Sequence, residues 1–422
     1  MRITLLAAGS QGDVLPCLRL GKRLQQSGLQ VLLTAPQNFA HWAQGKGLPF
    51  HPIRADVQQI MAGETGQRYM ASGGANPLQS ILAMRKMLRP VALQMAEDAL
   101  AACRQAEALI TLAVFAPLGA TIAEIYDIPL ILVEPTPVLP TGDFPAPGWP
   151  IQRHLGRWHN RFSGFAMLEV IWQWYRPFVN EFRSRFGLQS WNSANFRQVL
   201  TSAPLLGAYS SAVVPRPRDW PESAHPTGYW FEAVPPNWHP SAELEAFLGQ
   251  GDPPVYVGFG SMAGRDPQHV ARIVLEALAR SGQRGILATG WGGMQALNAP
   301  ATAFVLDAAP HSWLFPRMSA VVHHGGAGTT AEGLRAGVPA VIVPFIVDQR
   351  FWGTRVQALG AGPAPMPASS LTINQLAAAI HQATSDAVMQ RQAKAVGTAV
   401  RSEDGLGHAV QSIQQYLGAS VC

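Results

Sequence analysis

Val321-Val-His-His-Gly-Gly-Ala-Gly-Thr-Thr-Ala-Glu332 is the stretch that decides the fold of this 422-residue chain. The apolar residues before it predict a buried strand, which leads through a glycine-rich turn into a helix. Thr329 and Glu332 have the spacing of a capping box, so we expect the helix to begin at Thr329. Pro339-Ala-Val-Ile-Val-Pro344 predicts the next buried strand. Two successive strand-to-helix turns of this kind line the ligand crevice of an open parallel sheet.

The glycine-rich turn has the chemistry of an anion site. Gly325, Gly326 and Gly328 let backbone N–H groups approach a ligand closely, and the new helix directs its unpaired N–H groups at it. His324 and the Thr329 hydroxyl add further donors. The stretch lacks the lysine of a P-loop, so a P-loop is excluded. The alternative is purely local: the glycines turn the chain and Thr329 caps a helix.

Composition limits the class of protein. Apolar residues make up 48% of the chain and charged residues 14%, which favours well-buried globular domains, and the length favours two. The net charge of +5 is modest, and Lys and Arg are scattered without a run of five. We therefore expect no nucleic-acid partner.

Cysteine usage and hydropathy indicate the compartment. The three cysteines have neither disulfide nor metal-ligand spacing. The N-terminus does not read as a signal peptide, and no apolar run of about 18 residues could span a membrane. We therefore expect a cytoplasmic protein.

Further motifs along the chain give the stretch a family context. They are Gly9-Ser-Gln-Gly-Asp-Val-Leu-Pro16, Thr227-Gly-Tyr-Trp-Phe231, Val255-Tyr-Val-Gly-Phe-Gly-Ser261, His311-Ser-Trp-Leu-Phe-Pro-Arg317, Gly333-Leu-Arg-Ala-Gly-Val-Pro339, Asp348-Gln-Arg-Phe-Trp-Gly353 and Arg401-Ser-Glu-Asp-Gly405. With the glycine-rich turn, they resemble family-1 nucleotide-sugar glycosyltransferases of the GT-B fold. The likeness is strongest to sterol 3-beta-glucosyltransferases and antibiotic aglycone glycosyltransferases, and it spans nearly the whole chain.

The resemblance and the alternation of strands with helices together predict two Rossmann-like α/β domains facing across a cleft. We expect an acceptor-binding domain over residues 1–214 and a Pro- and Trp-rich linker over 215–240. A nucleotide-sugar-binding domain would then cover 241–400. Residues 401–422 would form a helix that crosses back to the N-terminal domain.

Asp13 is the predicted general base. It follows the first strand, at the sheet edge where such folds place reactive groups, and a carboxylate there can take the proton of an attacking hydroxyl. The resemblance places the catalytic Asp of these enzymes at this position, and it also makes Ser10 and Gly12 donor or acceptor contacts. The alternative is that Asp13 caps the following helix. Related sequences often carry Arg at position 11 and Gln at position 15, where this chain has Gln11 and Leu15.

The resemblance assigns the donor contacts to the second domain. Their residues are Ser261, His311, His324, Gly326, Gly328, Thr329, Glu332, Asp348 and Gln349. His324 with the glycines, Thr329 and Ser261 would hold the diphosphate, Glu332 the ribose, and the Asp348-Gln349 pair the sugar. For Ser261, Glu332 and Asp348 the alternative is local, since each of these side chains could simply cap a helix. His311 lies in the segment that contacts the base, and the neighbouring Trp313 is either part of that contact or core.

We therefore expect an inverting glycosyltransferase that moves a hexose, glucose from UDP-glucose, to a hydroxyl of an apolar acceptor such as a sterol or another lipid or terpenoid. A polyketide or peptide antibiotic aglycone is the alternative acceptor. The histidines show no metal-ligand spacing, so we expect no metal and no cofactor besides the UDP-sugar co-substrate. The competing classes are a nucleotide-sugar epimerase or hydrolase and a catalytically silent nucleotide- or lipid-binding relative.

Aromatic residues recur at helical spacing over Phe162–Phe186. A core-facing amphipathic helix explains this spacing, with Phe165 and Trp172 on its buried face. A wall of the acceptor pocket and a surface in peripheral contact with a membrane are the alternatives.

Overall fold

The structure, a computed structural model, describes residues 1–55, 60, 63, 65–66, 77–260, 267–288 and 299–420. Contacts divide the chain into two compact units: a first unit of Met1–Trp230 with Asp404–Cys422, and a second unit of Phe231–Glu403. Within the described part of the chain, no helix is both long enough and apolar enough to cross a membrane. The assignment of acceptor and donor binding to separate domains stays a prediction.

The first unit alternates strands with helices. Its strands are β1 (Arg2–Leu6), β2 (Gln30–Pro36), β3 (Phe50–Ile53), β4 (Ala108–Leu112), β5 (Leu130–Glu134), β6 (Leu205–Gly207) and β7 (Ala224–Pro226). Its helices before the second unit are α1 (Gln11–Gln26), α2 (Ala40–Gly45), α3 (Pro77–Leu88), α4 (Ala92–Ala102), α5 (Ala116–Tyr126), α6 (Arg157–Arg185) and α7 (Ser193–Ser202). The edge strand β7 lies within the segment predicted as linker.

The described strands of the first unit form one parallel sheet in the order β3-β2-β1-β4-β5-β6-β7. The order reverses between β1 and β4, because the chain builds outward from β1 on one side and then from β4 on the other. Ligands of open α/β sheets bind at such a reversal, outside the carboxyl ends of the strands. The turn from β1 to α1, which carries Asp13, lies at this reversal.

The helix α1 begins several residues before the position that its local sequence predicts. Pro16 favours a start near residue 16, since Pro is common in a first turn. The structure starts α1 at Gln11, with Ser10 as N-cap and Pro16 inside the helix. Asp13 is therefore a residue of the first helical turn.

The long aromatic helix is confirmed as α6, but its faces differ from the prediction. Leu168, Trp172, Val179 and Phe182 are buried. Phe165, predicted on the buried face, is exposed, as are Trp158 and Phe162. The apolar stripe is thus wider than the core it covers at the N-terminal half of α6.

The second unit repeats the alternation with a smaller sheet. Its strands are β8 (Val255–Gly258), β9 (Gly285–Ala288), β10 (Ala303–Leu306), β11 (Ala320–His323) and β12 (Ala340–Ile342). Its helices are α8 (Ala242–Leu248), α9 (Pro267–Ser281), α10 (His311–Leu314), α11 (Ala327–Ala336), α12 (Gln349–Ala358), α13 (Ile373–Ser385) and α14 (Ala387–Arg401).

The described strands of this unit are parallel, in the order β10-β9-β8-β11-β12. The order reverses between β8 and β11, so the glycine-rich turn after β11 lies at the binding edge of the sheet. Val255, Val257, Val322 and Val341 are buried in the core beneath it. The fold of both units therefore confirms the predicted pair of parallel-sheet α/β domains.

The last helix, α15 (Gly405–Ser420), packs against α1 of the first unit. Ala409, Ile413 and Leu417 are buried in the same core as β1 and β2. His408 Nδ1 lies 3.1 Å from the backbone carbonyl oxygen of Thr227, which fixes the start of the helix against the loop after β7.

We predict that Gly405→Ala loosens this packing. A Cβ at position 405 would lie 2.4 Å from the carbonyl oxygen of Tyr229 and 2.6 Å from the carbonyl carbon of Gly228, and both are backbone atoms. We expect the free energy of unfolding in urea to fall by about 1–3 kcal/mol. The control is Gly418→Ala in the same helix, where a Cβ meets nothing within 4 Å. It should leave stability unchanged or raise it by up to about 1 kcal/mol, and equal effects of the two variants would contradict this packing.

Candidate active site

Asp13 closes the N-terminus of α1 from inside its first turn. Its Oδ2 accepts the Ser10 backbone N–H at 2.6 Å and the Ser10 hydroxyl at 3.0 Å. Ser10 is itself the N-cap, so Asp13 contributes to capping without occupying the cap position. Capping and catalysis therefore do not exclude each other here, because they can use different oxygens.

The second carboxylate oxygen of Asp13 is available for chemistry. Among the described residues, no group donates a hydrogen bond to Oδ1. Burial raises the pKa of Asp13 above its ordinary 3.8, and this effect outweighs the opposing hydrogen bonds from Ser10. A carboxylate with a raised pKa is a stronger base toward a hydroxyl group.

The residue before Ser10 must be glycine for this arrangement. A Cβ at Gly9 would lie 2.1 Å from Asp13 Oδ2, so any side chain there would displace the carboxylate. Ser10 and Gly12, the predicted loop contacts, are both exposed on the same turn.

Two residues near Asp13 escaped the sequence reasoning. Glu134 is the buried last residue of β5, and Tyr175 lies on α6. The pKa of the Tyr175 hydroxyl is raised, first by burial and then by the charges of Asp13 and Glu134. The same causes raise the pKa of the buried Cys17 thiol. A carboxylate at the end of a fully buried strand was the signal for Glu134, while nothing in the aromatic pattern singled out Tyr175.

The glycine-rich turn in the second unit starts its helix without a side-chain cap. The predicted capping box of Thr329 and Glu332 is wrong. The helix α11 begins at Ala327 with Gly326 as N-cap, and no side chain caps it. Its first hydrogen bond runs from the Thr330 N–H to the Gly326 carbonyl oxygen at 2.9 Å. The N–H groups of residues 327–329 come before this bond and therefore have no acceptor within the helix. The Thr329 hydroxyl makes no hydrogen bond within the described residues.

His324 lies over this turn. Its Nε2 would be 2.5 Å from a Cβ at Gly326, and its Cε1 would be 3.6 Å from a Cβ at Gly260, two residues after β8. Its buried Nδ1 has no hydrogen-bond partner among the described residues. Burial lowers the pKa of His324 to about 4, so the ring is neutral at neutral pH and donates through one nitrogen.

His323 holds the turn together and was not assigned a role from the sequence. It is fully buried, and its Nδ1 accepts the Gly325 backbone N–H at 3.1 Å. The pKa of His323 is lowered well below 6.5. Burial is the largest cause, and the charges of His324 and His311 lower it further. The neutral ring therefore carries its proton on Nε2. A histidine ending an otherwise aliphatic strand was the available signal.

Gly325 ties the turn after β11 to the turn after β12. Its φ of +89° lies in the left-handed region. A Cβ there would be 2.7 Å from Ile342 Cγ2 and 2.8 Å from the backbone oxygen of Gln349. Only glycine satisfies both the backbone angle and this close approach.

The Asp348-Gln349 pair lies in the second of these turns. Gln349 is buried, and its Oε1 accepts the N–H groups of Phe345 at 2.7 Å and Ile346 at 3.0 Å. Its amide nitrogen donates to none of the described residues, which leaves it for a ligand. Asp348 occupies the N-cap of α12, but its side chain caps no backbone N–H. Its Oδ2 instead accepts the Trp352 indole N–H at 3.0 Å, so the capping alternative is wrong for Asp348.

Three predicted donor contacts of the second unit remain, and the structure describes two of them, Glu332 and His311. Glu332 is inside α11 and pairs with Arg335 at 3.8 Å, which replaces its predicted capping role. The His311 ring stacks on Phe315 at 4.3 Å, and its Nε2 lies 3.3 Å from the Tyr256 hydroxyl. Ser261 lies outside the described residues.

Trp313 is neither fully buried nor isolated. It contacts Trp238 edge-to-face at 5.0 Å, and the Arg317 guanidinium lies 4.1 Å above its ring. These contacts favour a packing role for Trp313, since its faces are already covered by protein groups.

The second unit thus gathers several donors at one sheet edge. They are the N–H groups of residues 327–329, the His324 ring, the Thr329 hydroxyl and the Gln349 amide. Such an arrangement stabilises an anion, because the donors are fixed before it arrives and the helix N-terminus carries a partial positive charge. The first unit, taken by itself, carries a carboxylate with an unengaged oxygen at the reversal point of its own sheet.

We predict that Gly325→Ala destabilises the second unit. The left-handed φ and the contact with the Gln349 oxygen should each oppose a Cβ, for a loss of about 1–3 kcal/mol in the free energy of unfolding. Gly328→Ala is the matched control, since a Cβ there meets nothing within 4 Å and sits inside a helix. Denaturant unfolding measures both, and a Gly325→Ala protein as stable as the control would contradict the constraint.

A second prediction concerns His323. His323→Leu removes the acceptor for the Gly325 N–H but also removes a buried, unpaired Nε2–H, so we expect little net change in stability. The untethered turn should bind UDP about 2- to 10-fold more weakly in calorimetry. His323→Asn keeps an acceptor near the Nδ1 position and should recover most of the affinity. Binding by the Leu variant at the wild-type level would show that the histidine does not organise the turn.

Comparison with known proteins agrees with this geometry. Residues 3–142 match the glycosyltransferase family 28 N-terminal domain, and residues 286–410 match the erythromycin biosynthesis protein CIII-like C-terminal domain. A sterol 3-beta-glucosyltransferase from Arabidopsis thaliana is 33% identical over 434 residues, covering 99% of this chain and 68% of that enzyme. The O-mycaminosyltylonolide 6-deoxyallosyltransferase of Streptomyces fradiae is 36% identical, covering 99% of this chain and 97% of that enzyme.

The fold has solved counterparts. The crystal structure of CalG4, the calicheamicin glycosyltransferase, superposes with a TM-score of 0.72 at 17% identity, covering 99% of this chain and 98% of that one. The two parallel-sheet units therefore form the GT-B fold. The sequence matches extend this from fold to family, since both relatives exceed 30% identity over 99% of this chain, which covers 68% of one and 97% of the other. The chain belongs to the GT-B glycosyltransferases that use nucleotide-sugar donors, in the family that includes sterol 3-beta-glucosyltransferases and antibiotic glycosyltransferases.

Proposed function

We propose that this chain transfers glucose from UDP-glucose to a hydroxyl of an apolar acceptor, a sterol or another lipid or terpenoid, with inversion and without a metal ion. The observation that carries the proposal is the Asp13 carboxylate, which has one unengaged oxygen and a raised pKa at the reversal point of its sheet. The name of the Arabidopsis thaliana relative supports the sterol as acceptor and glucose as the sugar.

The reaction is a single displacement at the anomeric carbon. Asp13 Oδ1 takes the proton of the acceptor hydroxyl as its oxygen attacks, and the bond to the nucleoside diphosphate breaks on the opposite side. One C–O bond forms on the face of the anomeric carbon opposite the C–O bond that breaks, so the anomeric configuration inverts. The negative charge that develops on the departing diphosphate needs fixed donors, which lower the barrier without reorganising.

The donor contacts follow from the second unit. We assign the diphosphate to the N–H groups at Gly328 and Thr329, the Thr329 hydroxyl and His324, with Gly326 giving close access and Ser261 a further donor. Glu332 would accept from the ribose, and the sugar hydroxyls would contact Asp348 and the free amide nitrogen of Gln349. His311 belongs to the segment assigned to the base. These assignments need no metal, because neutral donors and the helix N-terminus supply the stabilisation.

A second acceptor class has its own support. The Streptomyces fradiae relative, an O-mycaminosyltylonolide 6-deoxyallosyltransferase, is of nearly the same length as this chain. A polyketide aglycone would share the apolar bulk of a sterol and present a hydroxyl to the same base. Its sugar donor would be a deoxyhexose nucleotide rather than UDP-glucose. The donor that the enzyme consumes therefore distinguishes the two functions.

We also propose that the enzyme works in the cytoplasm, in peripheral contact with a membrane. An apolar acceptor of the sterol class resides in bilayers, so access to it favours an enzyme that reaches the bilayer surface.

The test is transfer in the presence of EDTA, followed by mass spectrometry. UDP-glucose and deoxyhexose nucleotides would be offered with sterol and polyketide acceptors to the wild type and to Asp13→Asn. Asparagine keeps an oxygen that can accept from Ser10 N–H, so the start of α1 should survive while the base is lost. We expect a hexosylated sterol from the wild type and a rate about 10²–10⁴-fold lower for the variant, with UDP binding unchanged.

Three outcomes would overturn parts of this proposal. Normal turnover by Asp13→Asn would remove Asp13 as the base. Product only from a deoxyhexose donor and a polyketide would favour the antibiotic-type function. UDP binding without consumption of any donor would favour a catalytically silent relative.

The raised pKa of Asp13 predicts a pH dependence. The base must be ionised, so kcat/KM should fall tenfold per pH unit below the pKa of Asp13, and this acid limb should lie above pH 3.8 because burial raises that pKa. The Ser10 hydrogen bonds lower the pKa, so Ser10→Ala, which removes the hydroxyl donor, should move the limb to higher pH. A limb that does not move, or moves to lower pH, would contradict this electrostatic account.

A further inference from the structure

The N-terminal half of α6 exposes three aromatic side chains on one face of the helix. Trp158 is 90% exposed and Phe162 is 62% exposed, and Phe165 is also exposed. Their spacings of four and three residues place all three on one side of the helix. Exposed apolar side chains are ordinary when single, but a contiguous group of this size marks an interaction surface.

The segment before the helix extends this face. Ile151 and Leu155 are both exposed. The Trp149 ring contacts Phe162 edge-to-face at 6.0 Å, which holds the segment against the helix. We call Ile151, Leu155, Trp158, Phe162 and Phe165 the aromatic face. The helix α3, which packs on α6, exposes Leu78 and Leu82 as well.

The opposite side of α6 fixes the aromatic face in place. Asn160 is fully buried and its amide donates to the Gly142 carbonyl at 2.9 Å. The buried Ser163 hydroxyl accepts the Ala146 N–H at 2.9 Å. The exposure of Trp158 and Phe162 is therefore a consequence of how the helix is anchored, because rotating it would break these buried hydrogen bonds.

Basic side chains flank the aromatic face. Arg153, Arg157 and Arg161 are exposed on the same stretch, which contains no acidic residue between positions 150 and 165. Asp143 pairs with Arg157 at 2.7 Å, and Asp219 lies 3.6 Å from Arg157 and 4.0 Å from Arg161. Within the described residues, Arg153 forms no ion pair. The three arginines against two carboxylates leave this edge with an excess of one positive charge.

We propose that the aromatic face docks on an anionic lipid bilayer, with Trp158 and Phe162 inserted at the headgroup level and Arg153 directed to lipid phosphates. Tryptophan is favoured at this depth because its ring is amphipathic, and arginine adjacent to an apolar face pairs with anionic headgroups. A protein partner would also cover apolar side chains, but the flanking positive charge favours the anionic surface of a membrane.

This proposal deepens the proposed function, since a sterol or lipid acceptor would be taken from the bilayer that the face contacts. It can fail independently. Docking concerns the surface of α6, whereas transfer concerns Asp13 and the donor turn.

The test is flotation of the full chain with vesicles that contain no sterol, so that acceptor binding plays no part. Vesicles of phosphatidylcholine alone and of phosphatidylcholine with phosphatidylglycerol would be compared at low salt for the wild type, Trp158→Ser/Phe162→Ser, Arg153→Gln and the control Phe186→Ser. Phe186 is exposed at the other end of the same helix, outside the aromatic face. Circular dichroism would establish that each variant is folded.

We expect the wild type and Phe186→Ser to float with the phosphatidylglycerol vesicles and less with phosphatidylcholine alone. Losing Trp158 and Phe162 should reduce binding at least about tenfold, and Arg153→Gln should reduce it several-fold. Failure of the wild type to float, or equal flotation by the double variant, would overturn the proposal. A folded double variant that loses wild-type self-association instead would assign the face to contact between two copies. Unchanged transfer to a detergent-dispersed acceptor by the double variant would separate docking from catalysis.

Discussion

The backbone at Gly325 sets the geometry of the glycine-rich turn in the second unit. A left-handed φ and a close approach to the Gln349 oxygen can be met together only by a residue without a Cβ. Because Gly325 is held from one side by His323 and touches the turn after β12 on the other, two loops of the sheet act as one. The helix α11 can then start at a glycine, with no side chain competing for its first N–H groups.

Asp13, the proposed base, is also positioned by local structure. It caps the start of its own helix through one oxygen and leaves the other free, so helix formation fixes the position of the oxygen that we propose as the base. Gly9 is required because any side chain would occupy the carboxylate's place. At both sheets the reversal of strand order brings such a turn to the binding edge. Asp13 and the glycine-rich turn are thus local structures placed by topology, and neither depends on a long side chain reaching from elsewhere.

The strand pattern, the alternation of strands with helices and the glycine turn could be predicted from the sequence, because apolar periodicity and glycine clusters are local signals. The start of α11 could not, since the Thr329–Glu332 spacing imitates a capping box that the glycine backbone makes unnecessary. The start of α1 was predicted too late in the chain for a similar reason, because Pro16 is a stronger local signal for a helix start than Ser10 and Asp13. His323 and Glu134 went unassigned because a polar residue ending a buried strand has a meaning only once its neighbours are known. Phe165 was expected in the core, since periodicity shows which residues share a face but not whether that face is covered. The roles of the individual donor contacts stay predictions that rest on the family resemblance.

The central claim is that the uncapped start of α11, with His324 above it, holds the diphosphate of the sugar donor. A crystal structure of the chain with UDP bound tests it most directly. We expect phosphate oxygens within hydrogen-bond distance of the N–H groups of residues 328 and 329, the Thr329 hydroxyl and one ring nitrogen of His324, with the turn at Gly325 unchanged. A diphosphate bound elsewhere on the second unit, with no phosphate oxygen within hydrogen-bond distance of the His324 ring, would contradict the account.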